Sequence, residues 1–242
     1  MTVLNTIVAA TLKQFKKDVD GLIEKGEKKE IAIMHVIREY IVASENILFE
    51  GNNYSEEWTK EAERRGLPNV KTTPLALDAM ITDKAKHLFE SNFIYTHAEL
   101  EARHEIELEK YIKKVQIESR IMGELATSHV LPVAIRYQNM LANNIKGLKE
   151  TGLPESAYLN QKQILEKISE HINKASHLVE KMIEARKICN NISNTRTKAI
   201  AYQSQVKDMY FDELRYHVDK LELLVDDREW YLPKYREMLF LR

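Results

Sequence analysis

Glu101 and His104 form the sequence's best metal-like spacing: at i and i+3 on a helix their side chains share a face. A di-iron helical bundle uses that pair, but it needs a second Glu-x-x-His and two more glutamates on partner helices. No second copy exists. His171 and His177 lack a glutamate three residues earlier, and Glu213 precedes His217 by four. Solvated helix charges account for Glu101 and His104 equally well. His35, His87, His129 and His217 fall in or near apolar stripes, the setting of hydrogen-bonded structural histidines. There is no His-Glu-x-x-His and no glycine-framed serine. Lys13, Lys16 and Lys17 cluster, but Asp18, Asp20 and Glu24 follow, as on a solvated face. Cys189 is the sole cysteine, so an internal disulfide is impossible, and a small apolar role in a helix fits it better than a reactive thiol. The residues therefore display no catalytic, cofactor-binding or metal constellation of their own. Trp58 and Trp230 read as packing or interface anchors rather than ligand-stacking platforms.

The 242 residues are 44% hydrophobic and 30% charged, a balance of a globular and charge-rich chain. Lys plus Arg total 36 against 37 for Asp plus Glu, which argues against a nucleic-acid partner. Only 7 glycines and 5 prolines occur, too few for the turns of a many-stranded sandwich, a barrel or a phosphate-cradling loop. The fold class is therefore all-α. No apolar run is long enough for a membrane span, and no signal peptide is evident. The expected compartment is reducing and cytoplasmic.

Apolar residues recur at helical spacing through Leu4, Val8, Leu12, Phe15, Val19 and Leu22, ending at Gly26. A second stripe runs through Ile31, Met34, Ile37, Ile41, Leu48 and Phe49 to Gly51, so residues 2–50 read as a helical hairpin. The first helix starts at once, which suggests that Met1 opens an excised piece rather than a gene. Ser55 can cap a helix to Arg65, Pro74 starts another, and Thr82-Asp83 opens a third toward Ser91. These are too short to stand alone and must dock. Thr96 and Glu99 form a capping box opening a long helix. Pro132 removes one of that helix's hydrogen bonds and crowds the Ser128 carbonyl, predicting a kink or break near residues 127–131.

Beyond Leu153-Pro154, two long stripes pair in the sequence as an antiparallel coiled-coil-like hairpin over residues 157–225. Its predicted seam brings Ile168, Ile172 and Val179 against Tyr210, Leu214 and Leu221. The tail, Trp230-Tyr231-Leu232-Pro233 then Tyr235, Met238, Leu239 and Phe240, reads as an aromatic packing anchor. The organisation expected is thus 1–95, a hairpin plus short docking helices, and 96–242, a long-helix bundle.

Three stretches stand out together: Gly51-Asn52-Asn53-Tyr54-Ser55-Glu56-Glu57-Trp58 running on to Pro74, Leu131-Pro132-Val133-Ala134-Ile135-Arg136-Tyr137-Gln138, and the opening Thr2-Val3-Leu4-Asn5-Thr6-Ile7-Val8-Ala9. They resemble the C-terminal region of type III glutamine synthetases. The resemblance implies a parent that ligates ammonia to glutamate using ATP and Mg²⁺ through γ-glutamyl phosphate. It also implies that the metal and phosphate ligands lie on strands upstream of Thr2, so no catalytic residue carries over to this sequence. The implied partners are that upstream catalytic domain and further copies in a homo-oligomer. Leu4, Val8 and Phe15, with Trp58 and Trp230, are the residues expected at packing or interface positions. Two other readings stay open: a stand-alone helical scaffold or adaptor, and a bundle metalloenzyme around Glu101 and His104.

Overall fold

The computed structural model describes residues 1–240, with the side chains of Tyr235 and Arg236 excepted. Every regular element among them is helical, as the glycine scarcity predicts. The chain divides into two compact units, Met1–Glu107 and Leu108–Arg242, with the division inside a helix.

In the first unit, α1 (Thr2–Glu24) and α2 (Lys29–Ala43) form the predicted hairpin. Gly26 closes α1 in the left-handed region at φ +95°, its N–H donating to the Ile23 carbonyl and that of Glu27 to Leu22. Val19, Ala32 and Val36 are the hairpin's core, with Phe15, Leu22, Ile33 and Tyr40 packed around them. The second helix is shorter than expected. It ends at Ala43, and a 3-10 turn over Glu45–Ile47 leads to extended backbone at Leu48.

The docking helices follow their local signals closely. Ser55 caps α3 (Glu56–Arg64) through the Trp58 N–H, Pro74 sits in the first turn of α4 (Thr73–Leu77), and Thr82 caps α5 (Asp83–Ser91) through Ala85. Thr96 and Glu99 bond each other's backbone N–H at the start of α6 (His97–Leu125), the predicted capping box.

In the second unit, α6 gives way over Ala126–Val130 to a π turn, and α7 (Leu131–Glu150) follows with Pro132 in its first turn. The expected disruption is therefore a widened turn, one of the usual ways a helix accommodates a lost hydrogen bond. Next, α8 (Leu159–Asn190) packs against α7 and against a return segment. That return comprises α9 (Thr195–Ala201), a ten-residue π stretch over Tyr202–Phe211, and α10 (Asp212–Leu224).

A uniform coiled-coil period does not survive in the return segment. Tyr202, Val206, Tyr210 and Leu214 follow one another at steps of four, and each such step drifts about 40° around a 3.6-residue helix. A wider turn offsets that drift, and Tyr202, Val206 and Leu214 are all buried. The seam is also less uniform than predicted: Ile168, Val179, Leu214 and Leu221 are buried, whereas Ile172 and Tyr210 are only half-buried.

The tail divides. Trp230 is buried, and Tyr231 lies 3.1 Å from His129 Nδ1. Beyond it, α11 (Tyr235–Met238) and the two residues after it expose Met238, Leu239 and Phe240, so these three are not an anchor within the described chain. Tyr235, also assigned to that anchor, has its side chain outside the described residues.

Candidate docking surface

The α1–α2 hairpin closes over only part of its length. Phe15 meets Tyr40 edge-on at 5.7 Å between ring centroids, and the Tyr40 hydroxyl donates to Asp18 at 2.9 Å. Burial, with that carboxylate beside it, raises the Tyr40 hydroxyl above its ordinary value. Toward the start of α1 Thr6 is still buried, but the aliphatic side chains around it are open. Leu4, Val8 and Leu12, spaced by four, are 64%, 56% and 62% exposed, and Val3 and Ile7 lie beside them. On α2, Met34, Ile41 and Val42 are similarly open. Scattered exposed leucines are ordinary, but a run of aliphatic side chains along one helix is the signature of a contact surface. Of the predicted interface residues, Leu4 and Val8 lie on this surface, and Phe15 lies at its closed edge.

Trp58 belongs to a separate local lock. Its indole meets Phe49 at 4.6 Å, and the Arg65 guanidinium stands 5.8 Å from its ring centroid. Arg65 also donates to the Leu48 carbonyl and to Glu61, both at 2.6 Å, tying α3 to the strand-like backbone after α2. Bonds from Arg64 and Arg65 hold the Glu61 carboxyl down at about 2. A Cβ on Gly51 would lie 2.5 Å from the Phe49 ring, so any larger residue there must push that ring aside. The Gly51–Trp58 stretch thus organises its own loop.

The Glu101–His104 pair points to two different neighbours. Glu101 accepts from Lys86 of α5 at 2.6 Å, which lowers its carboxyl below the usual range. His104 is buried, with Nε2 3.4 Å from Asp78. Among the described residues, no three His, Cys, Asp or Glu side chains converge as a metal site would require. Arg64 and Arg65 are already engaged with Glu61. Cys189 is buried, and burial pushes its thiol upward, away from thiolate reactivity.

Two arrangements in the second unit escaped the sequence reading. His171 and His217 meet across α8 and α10 with their Nδ1 atoms 2.8 Å apart. Fully buried Tyr202 donates its hydroxyl to Asn190 Oδ1 at 2.6 Å and accepts from Gln116 Nε2 at 3.0 Å, while Gln116 also bonds Asn190 at 2.8 Å. The histidines sat at or next to stripe positions, but which residues face each other across two helices depends on their register.

A family model described as the glutamine synthetase C-terminal domain matches residues 32–149. Residues 32–149 are a glutamine synthetase C-terminal domain. The chain is 42% identical over 243 residues to a glutamine synthetase of Bacteroides fragilis (strain YCH46), and 31% over 247 residues to a type-3 glutamine synthetase of Dictyostelium discoideum. A glutamine synthetase of Butyrivibrio fibrisolvens is 33% identical over 235 residues. These alignments take in 99%, 99% and 94% of this chain, yet in each case it spans only 33% of the relative. The glutamine synthetase domain match runs from the first turn of α2 to the last turn of α7, so it includes the Gly51–Trp58 lock, Glu101 and His104. No described helix is long and apolar enough to cross a membrane.

Proposed function

We propose that this chain is the C-terminal helical portion of a cytoplasmic type III glutamine synthetase and that its own role is structural. The parent joins ammonia to glutamate with ATP and Mg²⁺; the chemistry belongs to a catalytic portion, and these helices cover that portion's exterior and shape contacts in a homo-oligomer. The observation that carries the reading is the exposed Leu4–Val8–Leu12 stripe on a hairpin otherwise packed at Phe15–Tyr40. An aliphatic face of this kind is stabilised once a partner removes it from water, at roughly 25 cal/mol per Å². A matching relative about three times as long supports placing that partner in the same polypeptide.

The test compares two polypeptides, the 242 residues and the full gene product, with ATP, glutamate, ammonia and Mg²⁺. The full product forms glutamine and the 242 residues do not. Turnover by the 242 residues alone would defeat the structural role, and silence from a folded, metal-loaded full product would defeat the family activity.

A further inference from the structure

Three helices of the first unit end in the same way, and the third has the wrong residue for it. At the end of α1, Gly26 adopts φ +95°, donates to Ile23 at 2.9 Å, and lets Glu27 reach the Leu22 carbonyl at 3.1 Å. At the end of α3, Gly66 adopts φ +74°, donates to Glu63 at 3.0 Å, and lets Leu67 reach Ala62 at 2.9 Å. At the end of α5 the pattern recurs: the residue at φ +58° donates to Glu90 at 3.0 Å, and Ile94 reaches Phe89 at 2.9 Å. That residue is Phe93. Glycine takes this position because a Cβ crowds the backbone in the left-handed region, and a bulky side chain there is an outlier.

Phe93 recovers nothing for that strain inside the described chain, since it is 95% exposed. It combines an unfavourable backbone with an aromatic ring left in water, and a glycine would relieve both. Its setting is firm. Tyr95, two residues on, packs against Phe89 at 5.5 Å and carries the Arg103 guanidinium 4.3 Å from its ring centroid. The connector therefore fixes the backbone that carries Phe93, with Ile94 half-open beside it at 41%. An exposed aromatic side chain on a well-held backbone is a usual form of interface anchor.

We propose that Phe93 inserts into the catalytic portion of the same polypeptide, an inference that rests on the reading of the chain as part of a longer glutamine synthetase. Helix α5 packs against α1, the helix upstream of which the resemblance places the catalytic strands, and both lie in one compact unit. A covalently joined partner acts at a high effective concentration, and one ring with its neighbour suffices to guide it. A second copy of the chain would instead need about 800 Å² on each side, whereas the connector offers two apolar side chains beside Ser91 and Asn92.

The experiment places Phe93→Gly and Phe93→Asn in both the 242-residue chain and the full gene product. Both replacements tolerate the left-handed region and remove the ring. In the 242-residue chain, Phe93→Gly raises the melting temperature by about 2–4 °C, the response of a chain this size to losing one such strain. In the full product the same change lowers the temperature of half-inactivation of glutamine formation, and Phe93→Asn follows it. A rise or no change in the full product overturns the proposal, because the ring then has no partner there. A fall in the 242-residue chain overturns it too, because the ring then serves within this chain. A loss of self-association by the 242-residue variant in sedimentation assigns the ring to a second copy and likewise overturns it. Glutamine formation by the unmodified full product is read in the same samples, so failure of the underlying reading is seen separately.

Discussion

His171 and His217 share a single hydrogen bond between like atoms: Nδ1 faces Nδ1 at 2.8 Å where α8 packs on α10. One nitrogen must carry the proton and the other must accept it, so the contact requires that at least one ring be neutral. Tyr216 stands edge-on to both rings, Glu170 lies near on α8, and Lys220 near on α10. Burial, then the charge of His217, holds the His171 imidazole below its ordinary value.

Acid therefore loosens this helix pair. With His171 depressed in the folded state, the unfolded chain binds more protons once the pH falls below the ordinary imidazole value near 6.5. The stabilisation is complete above that value and is lost as pH falls through the folded one. Urea midpoints measured from pH 8 to 5 should fall toward acid in the wild type. His171→Phe should flatten that dependence over the same range; an equally steep fall in the variant would remove the pair as its cause.

The Tyr202 hydroxyl gives a second measure of the same unit. In Tyr202→Phe, Gln116 and Asn190 keep their own 2.8 Å bond, so no buried partner is wholly abandoned. The loss should be about 0.5–1.5 kcal/mol by urea denaturation, the net value of a hydrogen bond. Gln116→Leu strips a donor from Asn190 and Tyr202 together and should cost more.

Ile168 and Ile172 occupy neighbouring turns of α8, yet only Ile168 is fully buried. Ile168→Ala should destabilise by about 2–5 kcal/mol through lost contacts and a residual cavity. Ile172→Ala should cost clearly less, because part of that side chain already faces water and the site can collapse. Equal losses would mean that the seam is tighter around Ile172 than its exposure indicates.

The legible features were those set within a few residues. Ser55, Thr82 and Thr96 each combine a hydroxyl with the start of an apolar period, and each caps where predicted. Pro132 announced a disruption near residues 127–131, which takes the form of a π turn, because a missing N–H is a local fact. The second π stretch was also written in the steps of four from Tyr202 to Leu214, a signal absorbed into an assumed coiled-coil period. What stayed hidden depends on register or on backbone geometry that composition does not encode. The meeting of His171 with His217 needs two helices aligned to within a residue. The left-handed Phe93 has no sequence mark, since the rule for that position looks for glycine or asparagine. The exposed stripe was legible as apolar but not as uncovered, because periodicity reports a face and not what lies over it.

That stripe separates a surface awaiting a partner from an ordinary exposed face. Leu4 and Val8 are more than half exposed and lie outside the Val19–Ala32–Val36 core. Leu4→Glu with Val8→Glu should therefore change the stability of the 242-residue chain by no more than about 0.5 kcal/mol per site, as surface substitutions do. Fewer aliphatic side chains in water should also make that chain more soluble. In the full gene product the same pair places two carboxylates where an apolar contact is proposed, and desolvating either without a partner is strongly unfavourable. Glutamine formation there should fall, and the product should become more sensitive to proteolysis within α1 and α2. Leu4→Met with Val8→Ile keeps the face apolar and should leave both properties near wild type. If the glutamate pair is as active and as protease-resistant as the conservative pair, the α1 stripe faces solvent in the full protein, and the docking role passes to another surface of the first unit.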